Sequence, residues 1–124
     1  MNRQTFADMH TPGSPLILFN VWDAGSAIAV ANAGANAIAT GSAAPAGAQG
    51  YDDGAALPFA ALLTTSAQIK AAVDLPLSVD IESGFADDIA TLTENARRLA
   101  DIQVVGCNLE DQRIGVGGLR EADD

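Results

Sequence analysis

The sequence predicts an α/β fold built on a parallel sheet, and three observations support this class. Short apolar runs alternate with stretches of helical length along the chain. The helical stretches are long enough to connect parallel strands. Acidic residues follow two successive predicted strands, at the edge where α/β folds place their chemistry. Such a sheet is either doubly wound or closed into a barrel, and the four units predicted here are half of a (β/α)8 barrel.

The first two strands and the first helix are marked by their flanking residues. Pro15 to Asn20 and Asn36 to Thr40 are apolar runs with the length of strands. Between them, a helix is predicted from Ala24 to Ala33. Asp23 is positioned to cap this helix at its N-terminus, and Gly34 is positioned to end it.

The later elements follow the same alternation. The prediction gives, in order, a loop from Gly41 to Leu57, a helix from Pro58 to Ala72, a strand from Pro76 to Asp80, a helix from Asp87 to Ala100 capped by Asp87 or Asp88, a strand from Val104 to Leu109, and a polar tail from Gln112 to Asp124. Proline suits the first turn of a helix. Within this loop, the stretch from Ala43 to Gly54 is rich in small residues, as a lid over a site needs to be.

The predicted architecture makes residues 1–124 a single domain that is half of a barrel. Four parallel strands leave two unpaired edges, which favour association. We therefore expect the chain to be truncated or to complete itself with a partner, most simply as a homo-oligomer. The end of the tail, from Leu119 to Asp124, has the pattern of a helix that has only begun.

Composition and charge narrow the function classes. The net charge of −10 provides no basic surface for nucleic acid, and an anionic substrate would need a cation to hold it. No apolar run approaches the roughly 18 residues of a membrane-spanning helix, and the N-terminus lacks the apolar core of a signal peptide. The one cysteine, Cys107, fits a reducing compartment, so we expect a cytoplasmic protein. We expect Cys107 itself to be an inert thiol inside a buried strand.

Two acidic clusters carry the functional prediction. Asp80 and Glu82 follow the third predicted strand, and Glu110 follows the fourth. Residues two apart on an extended strand face the same side. Hard oxygen ligands that converge at a strand end suit Mg²⁺, with Mn²⁺ as a possible substitute, because Mg²⁺ binds few carboxylates and keeps several waters. The alternative is that these acids are ordinary turn residues and helix caps.

Five segments in register resemble the N-terminal half of the isocitrate lyase/phosphoenolpyruvate mutase superfamily. They are Phe19-Asn20-Val21-Trp22-Asp23-Ala24-Gly25-Ser26-Ala27, Ala39-Thr40-Gly41-Ser42-Ala43, Gly50-Tyr51-Asp52-Asp53-Gly54, Asp80-Ile81-Glu82-Ser83-Gly84-Phe85 and Gly106-Cys107-Asn108-Leu109-Glu110-Asp111. The resemblance implies a (β/α)8 barrel. It also implies a Mg²⁺-dependent lyase or phosphonomutase-like enzyme that makes or breaks a C–C or C–P bond of a small 2-oxo-acid or dicarboxylate.

The resemblance also assigns roles to individual residues. Asp80 corresponds to the direct metal ligand, and Glu82 and Glu110 to acids that hold metal-bound waters. Asp53 corresponds to a catalytic aspartate on the mobile loop. The substrate carboxylate would be bound by Ser42 together with the backbone of its neighbours, Thr40, Gly41 and Ala43.

One departure from the superfamily bears on the reaction. Isocitrate and methylisocitrate lyases carry a Lys-Lys/Arg-Cys-Gly-His segment after the fourth strand, and its cysteine is the catalytic acid. Here that region is Gln112-Arg113-Ile114-Gly115-Val116-Gly117-Gly118-Leu119. Cleavage of isocitrate by that route is therefore not expected. An arginine that the superfamily supplies from its second half is also absent.

Two other functions remain open from the sequence. The chain could be a non-catalytic half barrel that acts only as a folding or association module. It could also be a flavodoxin-like receiver domain, but that fold expects acids after the first strand and a lysine late in the chain. Lys70, the one lysine, lies in the middle of a predicted helix.

Overall fold

The computed structural model describes residues 3–121, and the side chains from residue 5 onward. Its helices are α1 Arg3–Asp8, α2 Ala24–Asn32, α3 Ala43–Ala48, α4 Phe59–Ala72 and α5 Ile89–Asp101, and its strands are β1 Phe19–Asn20, β2 Ile38–Ala39, β3 Leu77–Asp80 and β4 Gly106–Asn108. The helix predicted to begin at Leu119 does not begin there, because Leu119 forms an isolated bridge with Gln112 and residues 120 and 121 are not helical; the remaining residues of this prediction, 122–124, lie outside the described part.

The four strands form one parallel sheet in the order β1-β2-β3-β4. Each strand pairs with the next in the chain, with Ile38 opposite Leu77 and Val79 opposite Cys107. This arrangement confirms the predicted α/β class with parallel strands. Because the carboxyl ends of parallel strands lie along one edge, the residues that follow β2, β3 and β4 are brought together there.

The core lies between the sheet and the helices. Ile38, Leu77 and Val79 from the strands and Ile69 from α4 are completely buried. Helix α4 also packs closely against α2, and alanines allow this approach because they add little side-chain volume. The apolar face of the sheet is therefore covered on the helical side, and the strand ends are held at fixed positions.

Helix caps follow the predictions closely. Asp23 accepts the N–H of Ser26 at 2.7 Å, and the Ser26 hydroxyl accepts the N–H of Asp23, which completes a capping box. Asp88, rather than Asp87, caps α5 by accepting the N–H of Thr91 at 2.8 Å. Gly34 follows α2 with a φ of 96°, a conformation that suits glycine at a helix end.

The region predicted as one loop from Gly41 to Leu57 contains a helix, so this prediction was wrong in part. Helix α3 occupies Ala43–Ala48. Its alanines favour a helix, and Pro45 lies in the first turn, where the missing N–H costs nothing. The glycines on either side concealed this short element, and the true loop begins only after it.

Three smaller predictions also need correction. The strands are shorter than predicted, since β1 covers only Phe19–Asn20 and β4 ends at Asn108. Pro58 is the residue before α4 rather than its first residue, with a ψ of 140°. Cys107 is exposed and not buried, because it lies on β4 at the open edge of the described sheet.

Candidate active site

The turn after β3 carries Asp80 and Glu82 in a conformation that the sequence did not predict. β3 ends at Asp80, and Glu82 has a φ of 50°, so the two residues are not on one extended strand. The argument that their side chains face the same side was therefore wrong. They are connected differently, because the Asp80 carboxylate accepts the N–H of Glu82 at 2.9 Å.

Asn95 of α5 holds the same turn through hydrogen bonds to its backbone. Asn95 is buried, and its side-chain amide donates to the carbonyl of Gly84 at 2.9 Å and to that of Phe85 at 3.3 Å. Glu82, Gly84 and Phe85 all have positive φ values. Backbone in this region is costly for residues other than glycine. The Asn95 amide thus helps to hold the strained turn that carries Glu82.

Backbone pairing brings the two acidic clusters side by side. The N–H of Ile81 donates to the carbonyl of Asn108 at 3.0 Å, and the N–H of Glu110 donates to the carbonyl of Glu82 at 2.7 Å. Thr40, at the end of β2, accepts the N–H of Asp80 on its hydroxyl at 3.2 Å. The ends of β2, β3 and β4 are therefore connected by hydrogen bonds around the acids.

Four of the predicted site residues line one open cavity of about 370 Å³, which we call the acid cavity. Its lining consists of Ser42, Asp53, Gly54, Glu82, Glu110, Gln112, Ile114 and Gly115. The structure thus brings together Ser42, Glu82 and Glu110, which follow β2, β3 and β4. It adds Asp53 from the loop between α3 and α4. The other four predicted site residues, Asp80, Thr40, Gly41 and Ala43, are not part of its lining.

Glu82 is the acid whose environment is most altered. It is 7% exposed, and both of its carboxylate oxygens accept the N–H of Ala55, at 2.8 and 3.0 Å. Burial raises the pKa of Glu82, and the neighbouring charges of Asp53, Asp80 and Glu110 raise it further, against the lowering effect of the Ala55 hydrogen bond. Glu82 is therefore an acid that holds its proton more tightly than a free glutamate does, with three other carboxylates nearby.

Asp53 lies on the same loop as Ala55, whose N–H donates to the Glu82 carboxylate. Residues 50–57, which we call the lid, connect α3 to α4. The Asp53 carboxylate is exposed, and it accepts the N–H of Gly54 at 2.9 Å. Asp53 therefore reaches the acid cavity from the lid, whereas Glu82 and Glu110 reach it from the sheet.

The acids do not form a compact metal cage. Among residues 3–121, no group of three or more His, Cys, Asp and Glu side chains is close enough to hold a metal ion directly.

Within the same part of the chain, no helix is long and apolar enough to cross a membrane.

Sequence reasoning missed the contribution of the segment after β4. Residues 112–120 fold back on themselves, with Gln112 bridged to Leu119 and the N–H of Arg113 donating to Gly118. Gln112, Ile114 and Gly115 of this segment line the acid cavity. Its two arginines in a chain of net charge −10 were the available signal, but the segment was predicted only as a polar tail.

Comparison with known proteins agrees with the fold. The family model for phosphoenolpyruvate phosphomutase matches residues 6–124. A candidate phosphonomutase from Burkholderia cenocepacia is 43% identical, with a TM-score of 0.94 over 98% of this chain and 50% of that one. A candidate lyase/mutase from the same organism is 36% identical, with a TM-score of 0.90 over 98% of this chain and 44% of that one.

A curated relative shows the same partial coverage. An uncharacterized protein of Mycobacterium tuberculosis is 33% identical over 107 residues, which are 86% of this chain and 40% of the relative. The chain thus spans about half the length of the proteins it matches. The matched part is the N-terminal half of those structures. The chain belongs to the phosphoenolpyruvate phosphomutase family.

Proposed function

We propose that the acid cavity is the metal- and substrate-binding site of an enzyme that makes or breaks a C–C or C–P bond of a small 2-oxo-acid or related carboxylate. One observation carries the proposal: Ser42, Asp53, Glu82 and Glu110, from four separate segments, line the same cavity. The relatives at 43% and 36% identity, a candidate phosphonomutase and a candidate lyase/mutase, support the same pair of reaction classes.

The donor set fits Mg²⁺, with Mn²⁺ as an alternative. Asp80 would be the direct ligand, at the end of β3 next to the cavity lining, through the carboxylate oxygen that does not accept the Glu82 N–H. Glu82 and Glu110, in the lining itself, would accept hydrogen bonds from waters on the ion. Such a site needs no compact cage of side chains, because Mg²⁺ usually keeps several waters and binds one or two carboxylates. When bound, the ion would polarise the substrate oxygens and stabilise the negative charge that develops as the adjacent bond breaks.

The protein groups around the cavity would bind and enclose the substrate. The Ser42 hydroxyl and the backbone of residues 40–43 would hold its carboxylate. The lid would exclude water, and the Glu82–Ala55 hydrogen bond keeps it near the site. Asp53, carried on the lid, would contact the reacting part of the substrate only when the lid is closed.

Metal binding gives the direct test of this proposal. Mg²⁺ at 100 times its Kd should stabilise the chain by about 2.7 kcal/mol, since the ion binds only the folded state. Thermal unfolding with and without Mg²⁺ should show this shift for the wild type and for D101N, a change on the exposed surface of α5. It should be lost in D80N, which keeps an acceptor for the Glu82 N–H. A full shift in D80N would contradict the assigned ligand.

A second function is favoured by the open sheet edges. A chain with unpaired strand edges could serve as a folding or association module. The outer edges of β1 and β4 have no strand partner among the described residues. This function predicts association without any response to Mg²⁺, so the thermal shift separates the two.

A further inference from the structure

A second cavity lies beside the acid cavity and is lined by two arginines. It measures about 700 Å³, and its polar lining includes Arg113, Arg120, Asp87 and Ser83. Phe59, Phe85, Ile114 and Val116 provide apolar walls, and Gly54, Ala55 and Ala86 complete the lining. Gly54 and Ile114 also line the acid cavity, so the two spaces adjoin. We call this second space the arginine cavity.

The other basic side chains of the described residues are engaged elsewhere. The chain has six Lys and Arg residues, and the side chain of Arg3 lies outside the described part. Lys70 donates to the carbonyl of Leu75 at 2.8 Å, and Arg97 pairs with Glu94 at 2.8 Å and Asp101 at 3.5 Å. Arg98 lies over the ring of Phe59, 5.3 Å from its centre, and thereby fixes one wall of the arginine cavity.

The segment that carries both arginines has a defined backbone. The N–H of Arg113 donates to Gly118 at 2.9 Å, that of Gly117 donates to Arg113 at 3.0 Å, and that of Arg120 donates to Asp111 at 2.7 Å. These hydrogen bonds fix where the two arginines leave the backbone. Both arginines line the arginine cavity.

Charge around the two guanidinium groups is incompletely balanced. Arg120 lies 3.9 Å from Asp87, a long contact with a fully exposed carboxylate that is worth little in water. Among the described side chains, Arg113 has no ion pair. Arg120 also lines a neighbouring cavity whose other charged residues are Asp87, Asp88, Glu110, Asp111 and Glu121. In a chain of net charge −10, Arg113 is therefore the arginine whose charge is most available to an anion.

We propose that the arginine cavity binds an anionic group, a carboxylate or phosphonate, of a ligand whose other end lies in the acid cavity. This inference rests on the proposed function, because it assigns the second charged group of that substrate. Arg113 and Arg120 would each donate through a planar guanidinium, which matches the oxygens of either group. The ligand class is thus a dianion long enough to pass the boundary formed by Gly54 and Ile114.

Anion titration without metal tests the site separately from Mg²⁺ binding. Malonate and methylphosphonate, as the two probes, should shift the backbone N–H signals of residues 113–120 in ¹H–¹⁵N spectra. The fitted Kd should rise at least tenfold in R113Q and R120Q, and it should not change in R97Q, an arginine on the outer surface of α5. Unchanged binding in R113Q and R120Q, or signal changes spread evenly over the chain, would overturn the inference.

The folded state and the metal response make the outcomes distinguishable. Each variant is checked by thermal unfolding, and R113K, which keeps the charge but not the planar group, should bind with intermediate affinity even if R113Q unfolds. Loss of anion binding together with a retained Mg²⁺ shift in these variants supports both proposals. Anion binding without any wild-type Mg²⁺ shift defeats the metal assignment alone, and a wild-type Mg²⁺ shift without anion binding defeats the arginine site alone.

Discussion

Both carboxylate oxygens of Glu82 accept one hydrogen-bond donor, the backbone N–H of Ala55, at 2.8 and 3.0 Å. Glu82 follows β3, and Ala55 lies on the lid, 27 residues earlier in the chain. Both have positive φ values, 50° and 59°. Two strained backbone positions are therefore joined by a hydrogen bond to a charged group. The hydrogen bond therefore connects the lid to Glu82, the acid that we propose would also accept a hydrogen bond from a metal-bound water.

Removing the Glu82 carboxylate should free the lid. A hydrogen bond to a charged group contributes about 1.5–3 kcal/mol, so the amide of Ala55 should exchange with solvent at least about tenfold faster in E82A. Cleavage by chymotrypsin after Tyr51 should become faster as well. E110Q, which changes another acid of the same cavity without contacting Ala55, is the control. Equal exchange at Ala55 in E82A and the wild type would show that other contacts hold the lid.

The raised pKa of Glu82 predicts a pH dependence of stability. The folded state binds this proton more tightly than the unfolded state, so stability falls as pH rises from the ordinary value of 4.5 through the raised pKa. Below pH 4.5 this loss of stability is absent, and above the raised pKa of Glu82 it is complete. The free energy of unfolding of the wild type minus that of E82Q should decrease across this window and then level off. Urea titrations at several pH values, without metal, measure it, and a difference that increases with pH would contradict the assignment.

The position of the acids could be predicted, but their conformation could not. Strand ends in a parallel sheet meet at one edge, so a pattern of apolar runs followed by acids was sufficient to bring Glu82 and Glu110 together. The left-handed backbone at Glu82 depends on Asn95 and on the lid, which are distant in sequence. The fold-back of residues 112–120 likewise depends on backbone hydrogen bonds that leave no periodic pattern. Local reasoning fails where tertiary contacts determine the backbone.

Gly84 is the position in the turn where a side chain is excluded. Its φ is 90°, and a Cβ there would overlap the Cδ1 of Leu92. G84A should therefore lower the free energy of unfolding by about 2–3 kcal/mol, from backbone strain together with the change of rotamer that Leu92 must make. G50A is the matched control, because Gly50 has a φ of 80° but a Cβ at that position would meet no atom within 4 Å; its loss should be only about 1–2 kcal/mol. Urea unfolding compares them, and equal losses would exclude the Leu92 contact as a cause.

The open sheet edges predict self-association of the chain. Phe19 on β1 and Leu109 just after β4 are large apolar residues that are 50% and 54% exposed. Unpaired parallel strands with such residues should join copies into dimers or larger species. Sedimentation over a range of concentrations should show this. C107K, which adds a charge to β4, should shift the equilibrium toward monomer. A stable monomer at high concentration would contradict the prediction.

Isocitrate should not be a substrate of a longer polypeptide that carries this sequence as its first half. Residues 112–119 offer no cysteine to protonate the departing group, and Cys107 lies within β4. Oxaloacetate, substituted malates and phosphonopyruvate are the expected substrates, because each has the carboxylate and oxygen groups that the site could hold. Glyoxylate release from isocitrate measures the first point. Rapid release that is unchanged by C107S would show that another residue serves as the acid.

The sequential strand order also affects how the chain is made. Each strand pairs with its neighbour in sequence, so no strand must wait for a distant partner before it can be placed. During synthesis on the ribosome, β1 and β2 can pair with α2 behind them before β3 has emerged, and β4 adds after β3. The acid cavity needs residues that follow β2, β3 and β4, from Ser42 to Gly115. The cavity can therefore form only after all of these residues have emerged and the layers that support them are in place.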